Sequence, residues 1–423
     1  MRALEEVTLP VSGGPGRGPT LARRAVAGLL VLASVVATVV LHVRHPDALV
    51  TLLPSTDMRE LHVDFDTFWH SAVALTQNAD IYDTPAKLTN LNPPLLTVLL
   101  VPFAWFDALT AYRVFAVLTL LLVVASVLAV ARELRLSRTV TALATLAVLA
   151  SSPLHGTLAL GQIYPLLLAG LAAGWIAERR GHPVLAAVLY GVTVALKPSL
   201  APLLLLPAVQ RRWVPMRAGL LSAAGATLLG VLVAGPSSGF EWLRIAVTEP
   251  VPDTVDNASL PGLAVRFGVP SVVGMVLGAA VLVGTLVWMG RNRDRIDPAG
   301  TAPWAVLAAG LLFSPIAWHN YLMLLWPGVL VLAVLGRGAV TAVALAVAVV
   351  PVSWNAEWPP EGLGAGLARS LYCVILLGYW VALLSSAPDS RSPGEPVAEV
   401  AGRSEAGGAA TAGSSSTTSS SEA

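Results

Sequence analysis

Charge is scarce in this chain. Of its 423 residues, 12% are charged and 55% are hydrophobic, where a soluble domain carries about 25% charged residues. Mean hydropathy is +0.72. The deficit excludes a soluble globule and reads as an all-α polytopic membrane protein. Cysteine is nearly absent: Cys373 stands alone, which excludes an intrachain disulfide, and no Cys/His cluster has zinc spacing. Lysine is nearly absent too, with Lys87 and Lys197 only. The net charge of +1 and the lack of a basic block leave no signature of nucleic-acid binding. No acidic cluster suggests a bound metal, and no cofactor motif is present.

What the chain has in abundance is apolar runs. Twelve candidate spans fall at 25–43, 111–131, 139–157, 162–177, 183–197, 198–210, 216–235, 269–289, 302–318, 321–336, 338–353 and 366–386. The first follows Arg23-Arg24. It is longer than the roughly 7–15 apolar residues of a signal peptide, so we read it as a retained helix. A thirteenth run, 93–105, is short and bracketed by prolines. If it is re-entrant or interfacial rather than spanning, fourteen arginines fall on one side, from Arg23-Arg24 through the 132–138, 179–180, 211–217 and 291–295 clusters to Arg337. The positive-inside rule makes that side cytoplasmic and places both termini there. The expected domains are a disordered stretch 1–22, a membrane domain 23–386 and a low-complexity tail 387–423, rich in Ser, Thr, Gly and Ala.

This topology puts six of the seven histidines and most polar candidates on the extracytoplasmic face. In VDFDTFWHSA, residues 63–72, Asp64 and Asp66 are two residues apart. On a helix they point about 200° apart, so they do not form a dyad. One of them is a candidate general base, and the local reading leaves open which. The aromatics around them suit an interfacial anchor. Tyr82 and Asn92 flank the turn into the 93–105 run. Lys197 separates two apolar stretches, and His319 sits at the outer boundary between two spans. An ionisable group at such depth is a functional candidate; Lys197, His319 and Arg266 are candidates for binding phosphate. Gln162 and Asn257 are neutral polar candidates on the same face.

VDFDTFWHSA, DIYDTP with NPPLLTVLLVPF, GQIYPLLL, LKPSLAPLLLLP, NASLPGLAVRFG and SPIAWHNYLMLLWP occur in order, and together they resemble glycosyltransferase family 87. The resemblance implies a C-type glycosyltransferase fold with a catalytic aspartate in the first outer loop. It implies a polyprenyl-phosphate sugar donor, a glycolipid or cell-envelope glycan as acceptor, membrane lipid as surroundings, and a bacterial plasma-membrane location. Asp64, followed by Phe65 and then Phe68-Trp69, matches the family's aspartate better than Asp66. At 319–320 many mannosyl members carry paired histidines, where this chain has His319-Asn320. The expected reaction is inverting mannosyl transfer without a metal. Arabinofuranosyl transfer is the alternative within the family, and a multi-span transporter or flippase the alternative outside it.

Overall fold

The computed structural model describes residues 57–335 and 362–390, with Val36, Val39, Val40, Val43 and Arg44 before them. Most of the expected first span, the whole of the 338–353 span, residues 1–22 and residues 391–423 lie outside the described residues.

The described chain is helical, with one isolated antiparallel bridge, Asn257 to Trp318. Helix α1 is Val63–Thr76 and α2 is Pro94–Leu100, continued by a 3-10 turn Val101–Trp105. Helix α3, Ala108–Glu133, starts on an Asp107 side chain that accepts from the Thr110 N–H at 3.0 Å. Helices α4 (Arg138–Leu149) and α5 (Ser152–Leu160) meet at a 48° bend. Pro153 lies in the first turn of α5, where its missing N–H costs nothing. Then come α6 (Tyr164–Arg179), α7 (Pro183–Leu196), α8 (Trp213–Ala234), α9 (Pro236–Thr248), α10 (Leu260–Arg266) and α11 (Ser271–Arg291). Helices α12 (Ala302–Phe313), α13 (Trp326–Val334) and α14 (Leu371–Ser385) follow, with short helical turns at Met58–Leu61 and Leu363–Arg369 left unnumbered.

Ten of the twelve expected spans fall on described residues, and each holds helix. Among the described residues three helices, α3, α8 and α11, are long and apolar enough to cross a bilayer, or four if the bent pair α4–α5 is one span. Several of the others are cut short by proline. The expected helix 198–210 is a 3-10 stretch, Pro198–Leu205, with Pro202 inside it, followed by a single α-turn. The expected helix 302–318 stops at Phe313, just before Pro315. The 93–105 run forms the short α2 and its 3-10 turn, packed against α1 and α8. Its far end presents Trp105, 77% exposed, and Phe106. Helical structure also continues past the expected tail boundary, through a 3-10 turn Ala387–Ser390.

Burial follows the chemistry of a bilayer. Helix α12 is buried on all sides from Ala302 to Leu312, as a helix apolar all round should be. Helices α3, α8 and α11 expose rows of leucine and valine, among them Leu121, Leu221 and Val276. Such surface is stable only against lipid. Helices α6, α7 and α8 pack in succession, α3 packs on α6, and α12 packs between α11 and α14.

The α7–α8 crossing depends on small residues. A Cβ added at Gly191 would lie 2.4 Å from the Gly219 carbonyl oxygen. Close approach of this kind is how helices associate where lipid removes the hydrophobic drive. Gly191→Ile is therefore expected to lower the midpoint of thermal unfolding of the detergent-purified protein by several degrees, the effect of about 1–3 kcal/mol of overpacking. A thermal melt that matches the unmodified protein would contradict this account of the crossing.

Candidate active site

The site begins with how α1 is held. Its N-cap is His62, whose Nδ1 lies 2.8 Å from the Ala159 carbonyl and whose ring stacks on Tyr112 at 3.9 Å. Phe65 is 0% exposed and packs against Tyr112, Phe115 and Phe103. Trp69 donates to the carbonyls of Phe103 and Phe106 at 3.3 and 3.2 Å. The aromatics of VDFDTFWHSA thus face protein more than membrane interface: Phe65 and Phe68 are buried, and Trp69 is partly so.

With α1 fixed, its two aspartates diverge as the helical spacing requires. Asp64 opens onto a cavity of about 480 Å³. Asp66 is 2% exposed and turns away, its Oδ1 3.6 Å from His70 Nε2. Burial raises the Asp66 carboxyl above the usual range, against the pull of His70 and Arg59.

The Asp64 carboxylate accepts a 2.7 Å hydrogen bond from Gln162 Nε2. Gly161 makes this contact possible. It ends α5 in the left-handed region at φ 76, and a Cβ there would stand 2.4 Å from that of Phe65. Across the cavity, Lys197 is the C-cap of α7, in an extended conformation imposed by Pro198. Its ammonium sits at the negative end of the helix dipole and donates to Asn92 Oδ1 at 2.8 Å. Asn92 Nδ2 donates to Asn90 Oδ1 at 3.1 Å, and Asn90 Nδ2 to Ser71 Oγ at 3.1 Å. Ser71 lies on α1, so a chain of neutral groups ties the lysine to the helix that carries Asp64.

Desolvation dominates the Asp64 carboxyl and raises its pKa from 3.8 to about 6, although Gln162 and Lys197 both favour the charged form and Asp256 opposes it. A carboxylate in this state is ionised at neutral pH yet basic enough to take a proton.

Four of the sequence-predicted residues line the cavity: Asp64, Asn92, Gln162 and Lys197. The other five stand behind its walls. Tyr82 donates its hydroxyl to the Asn92 carbonyl at 2.9 Å. Asn257 is buried and donates to the carbonyls of Pro252 and Pro315. Arg266 donates to the carbonyls of Thr254 and Asn257, both at 2.8 Å. His319 is buried with its ring 5.0 Å from that of Tyr372. Asp66 is the fifth. Sequence reasoning missed Asp256, Glu249, Lys87 and Trp318, which do line the cavity. Asp256 directly precedes Asn257 in the same motif, but only the bridge from 257 to 318 brings it to the cavity. Among the described residues no group of three or more His, Cys, Asp or Glu could hold a metal ion.

A second cavity, an apolar groove of about 250 Å³, draws its lining from neighbouring stretches of the same segments. Leu96, Leu99, Leu100, Phe103, Phe115 and Leu118 line it, with Ile163 and Pro165. The Asn92–Leu100 and Gln162–Leu166 segments wall both.

These features define an all-helical integral membrane protein with a polar cavity that presents a desolvated carboxylate and a lysine. The profile of glycosyltransferase family 87 matches residues 90–315. The chain belongs to this family and is a membrane glycosyltransferase, which sets the transporter reading aside. It is similar to the polyprenol-phosphate-mannose-dependent alpha-(1-2)-phosphatidylinositol mannoside mannosyltransferase of Mycobacterium tuberculosis, with 28% identity over 319 residues, 68% of this chain and 73% of that one. It is also similar to the alpha-(1->3)-arabinofuranosyltransferase of Corynebacterium glutamicum, with 26% identity, 62% of this chain and 66% of that one. Among solved structures, ArnT from Cupriavidus metallidurans bound to undecaprenyl phosphate aligns with 84% of this chain and 78% of its own, at 18% identity and a TM-score of 0.36.

A base with this environment works only when ionised. Transfer by the purified protein is expected to fall about tenfold per unit as pH drops below about 6, and to level off above it. Gln162→Leu removes a bond that favours the charged form and moves this acid limb to higher pH. A pH–rate profile of both proteins checks the two statements.

Proposed function

We propose that this enzyme transfers a mannosyl residue from polyprenyl-phosphate mannose to a lipid-linked or cell-envelope glycan on the extracytoplasmic face of a bacterial plasma membrane. Both termini are cytoplasmic in this reading, about twelve spans anchor the chain between disordered tails, and the architecture is that of the C-type glycosyltransferases. The observation that carries the reading is the cavity that Asp64 and Lys197 share, each held by a neutral amide instead of by the other.

The chemistry is an inverting single displacement. Asp64 takes the proton from an acceptor hydroxyl while that oxygen forms a bond to the anomeric carbon of the donor. The bond from that carbon to the phosphate oxygen breaks, and polyprenyl phosphate leaves with the electron pair. Lys197 offsets the charge that builds on the phosphate, and Asn92 holds the ammonium in place. The donor is amphipathic, and the two cavities match it: sugar and phosphate in the polar one, isoprenoid tail in the apolar groove toward α3. Asp66, faced with His70 and away from the cavity, has a structural role. Arg266 and His319 act indirectly, by holding the backbone of residues 254–257 at the edge of the cavity.

The relatives named for arabinofuranosyl transfer support a second donor, polyprenyl-phosphate arabinofuranose. His319-Asn320 in place of paired histidines leaves the mannosyl and arabinofuranosyl donors both open.

Membranes that carry the full-length protein are to be incubated with radiolabelled polyprenyl-phosphate mannose and an actinobacterial lipid extract. The unmodified protein is expected to label a glycolipid. Asp64→Asn is expected to lose a factor of about 10² to 10⁴, and Asp66→Asn to keep most of the rate. Loss with Asp66→Asn and retention with Asp64→Asn would exchange the two roles. Labelling from the arabinofuranosyl donor alone would establish the second reading.

A further inference from the structure

Asp256 shares the cavity with Asp64, yet the reaction above gives it no work. Its surroundings are rigid. The His319 N–H donates to the Asp256 carbonyl at 2.6 Å, and the Ala258 N–H to the Ala317 carbonyl at 2.6 Å. Asn257 Oδ1 accepts from the N–H groups of Ser259 and Ala317, while its Nδ2 donates to two carbonyls. Arg266 fastens the carbonyls on either side of Asp256, at 254 and 257. Five of the polar groups around this residue are therefore spent on fixing its backbone. Its own carboxylate has neither a hydrogen bond nor an ion pair among the described residues, and faces the cavity partly buried.

A carboxylate offers only acceptors. It repels a phosphate, so the phosphate belongs on the Lys197 side. What suits a rigid, unpaired carboxylate in a cavity is a pair of neighbouring hydroxyls, and in this cavity those belong to a sugar. We propose that Asp256 is a specificity residue that accepts hydrogen bonds from a vicinal diol of the transferred sugar. This rests on the sugar-transfer reading of the cavity. It also assigns Asn257, Arg266 and His319 a common purpose, as the mount that aims Asp256.

The test compares full-length protein and its Asp256→Ala and Asp256→Asn variants on polyprenyl-phosphate mannose and on its 2-deoxy and 3-deoxy analogues. A site that hydrogen-bonds a hydroxyl rejects the analogue that lacks it. With a charged acceptor the unmodified protein should disfavour one deoxy donor on the order of 10- to 100-fold in kcat/KM. Asp256→Ala should lose most of that preference, because the variant no longer senses whether the hydroxyl is present. If Asp256→Ala misfolds, the isosteric Asp256→Asn supplies the comparison. A second readout separates the role from mere support. Asp64, Glu249, Lys87 and Lys197 share the cavity with Asp256, Arg266 and His319 feel its charge from behind the wall, and that charge pushes Asp64 up. Asp256→Asn should therefore move the acid limb to lower pH, the direction opposite to Gln162→Leu. Undiminished discrimination in both variants overturns the assignment. Absence of mannosyl turnover by the unmodified protein overturns instead the donor identity, and the same comparison is then made with the arabinofuranosyl donor and its deoxy analogues.

Discussion

A carboxylate and an ammonium occupy one partly desolvated cavity without neutralising each other. Everything near the site serves that separation. A direct ion pair between Asp64 and Lys197 would hold the carboxylate ionised and weakly basic, and would leave the ammonium less able to meet a phosphate. Instead each charge has a neutral amide partner, Gln162 for the acid and Asn92 for the lysine. The amides are in turn placed by backbone devices, a left-handed glycine before Gln162 and the Asn90–Ser71 relay behind Asn92. The lysine is aimed by the proline that follows it.

The same separation matches a substrate that is itself divided. A lipid-phosphate sugar has an apolar tail, one charge and a polar head. The protein offers an apolar groove in one cavity and, in the other, an ammonium with carboxylates and amides. The segment between them, Asn92 to Leu100, is too short to cross a bilayer, and its polar beginning and apolar end contribute to both.

Much of this was legible in the residues. Composition and the length of apolar runs yield the helical membrane class, because in lipid every backbone group must be satisfied within the segment. Lys197 was legible as a charge beside a proline in an apolar run, and Asp64 as one of two candidates in an aromatic segment. What turns Asp64 toward the cavity and Asp66 away from it is which face of α1 meets the aromatic cluster of Tyr112, Phe103 and Phe115, and that is a tertiary fact. Spans such as 198–210 were overdrawn because hydropathy counts apolar residues and ignores what Pro202 does to the hydrogen bonds of a helix. Asp256 was hidden because its position depends on a pairing of residues about sixty apart, 257 with 318, which leaves no periodic trace. Asn257, Arg266 and His319 were noticed for their polarity, yet their hydrogen bonds go to backbone.

The acid at position 64 stands on a helix that precedes the family-matched stretch 90–315, whereas Lys197, Asn92, Gln162 and Asp256 all lie within it. In the proposed reading the base therefore comes from outside that stretch, yet the Ser71–Asn90–Asn92 chain that reaches Lys197 joins the two parts. A change that displaced the first outer helix would then disturb the ammonium as well as the acid.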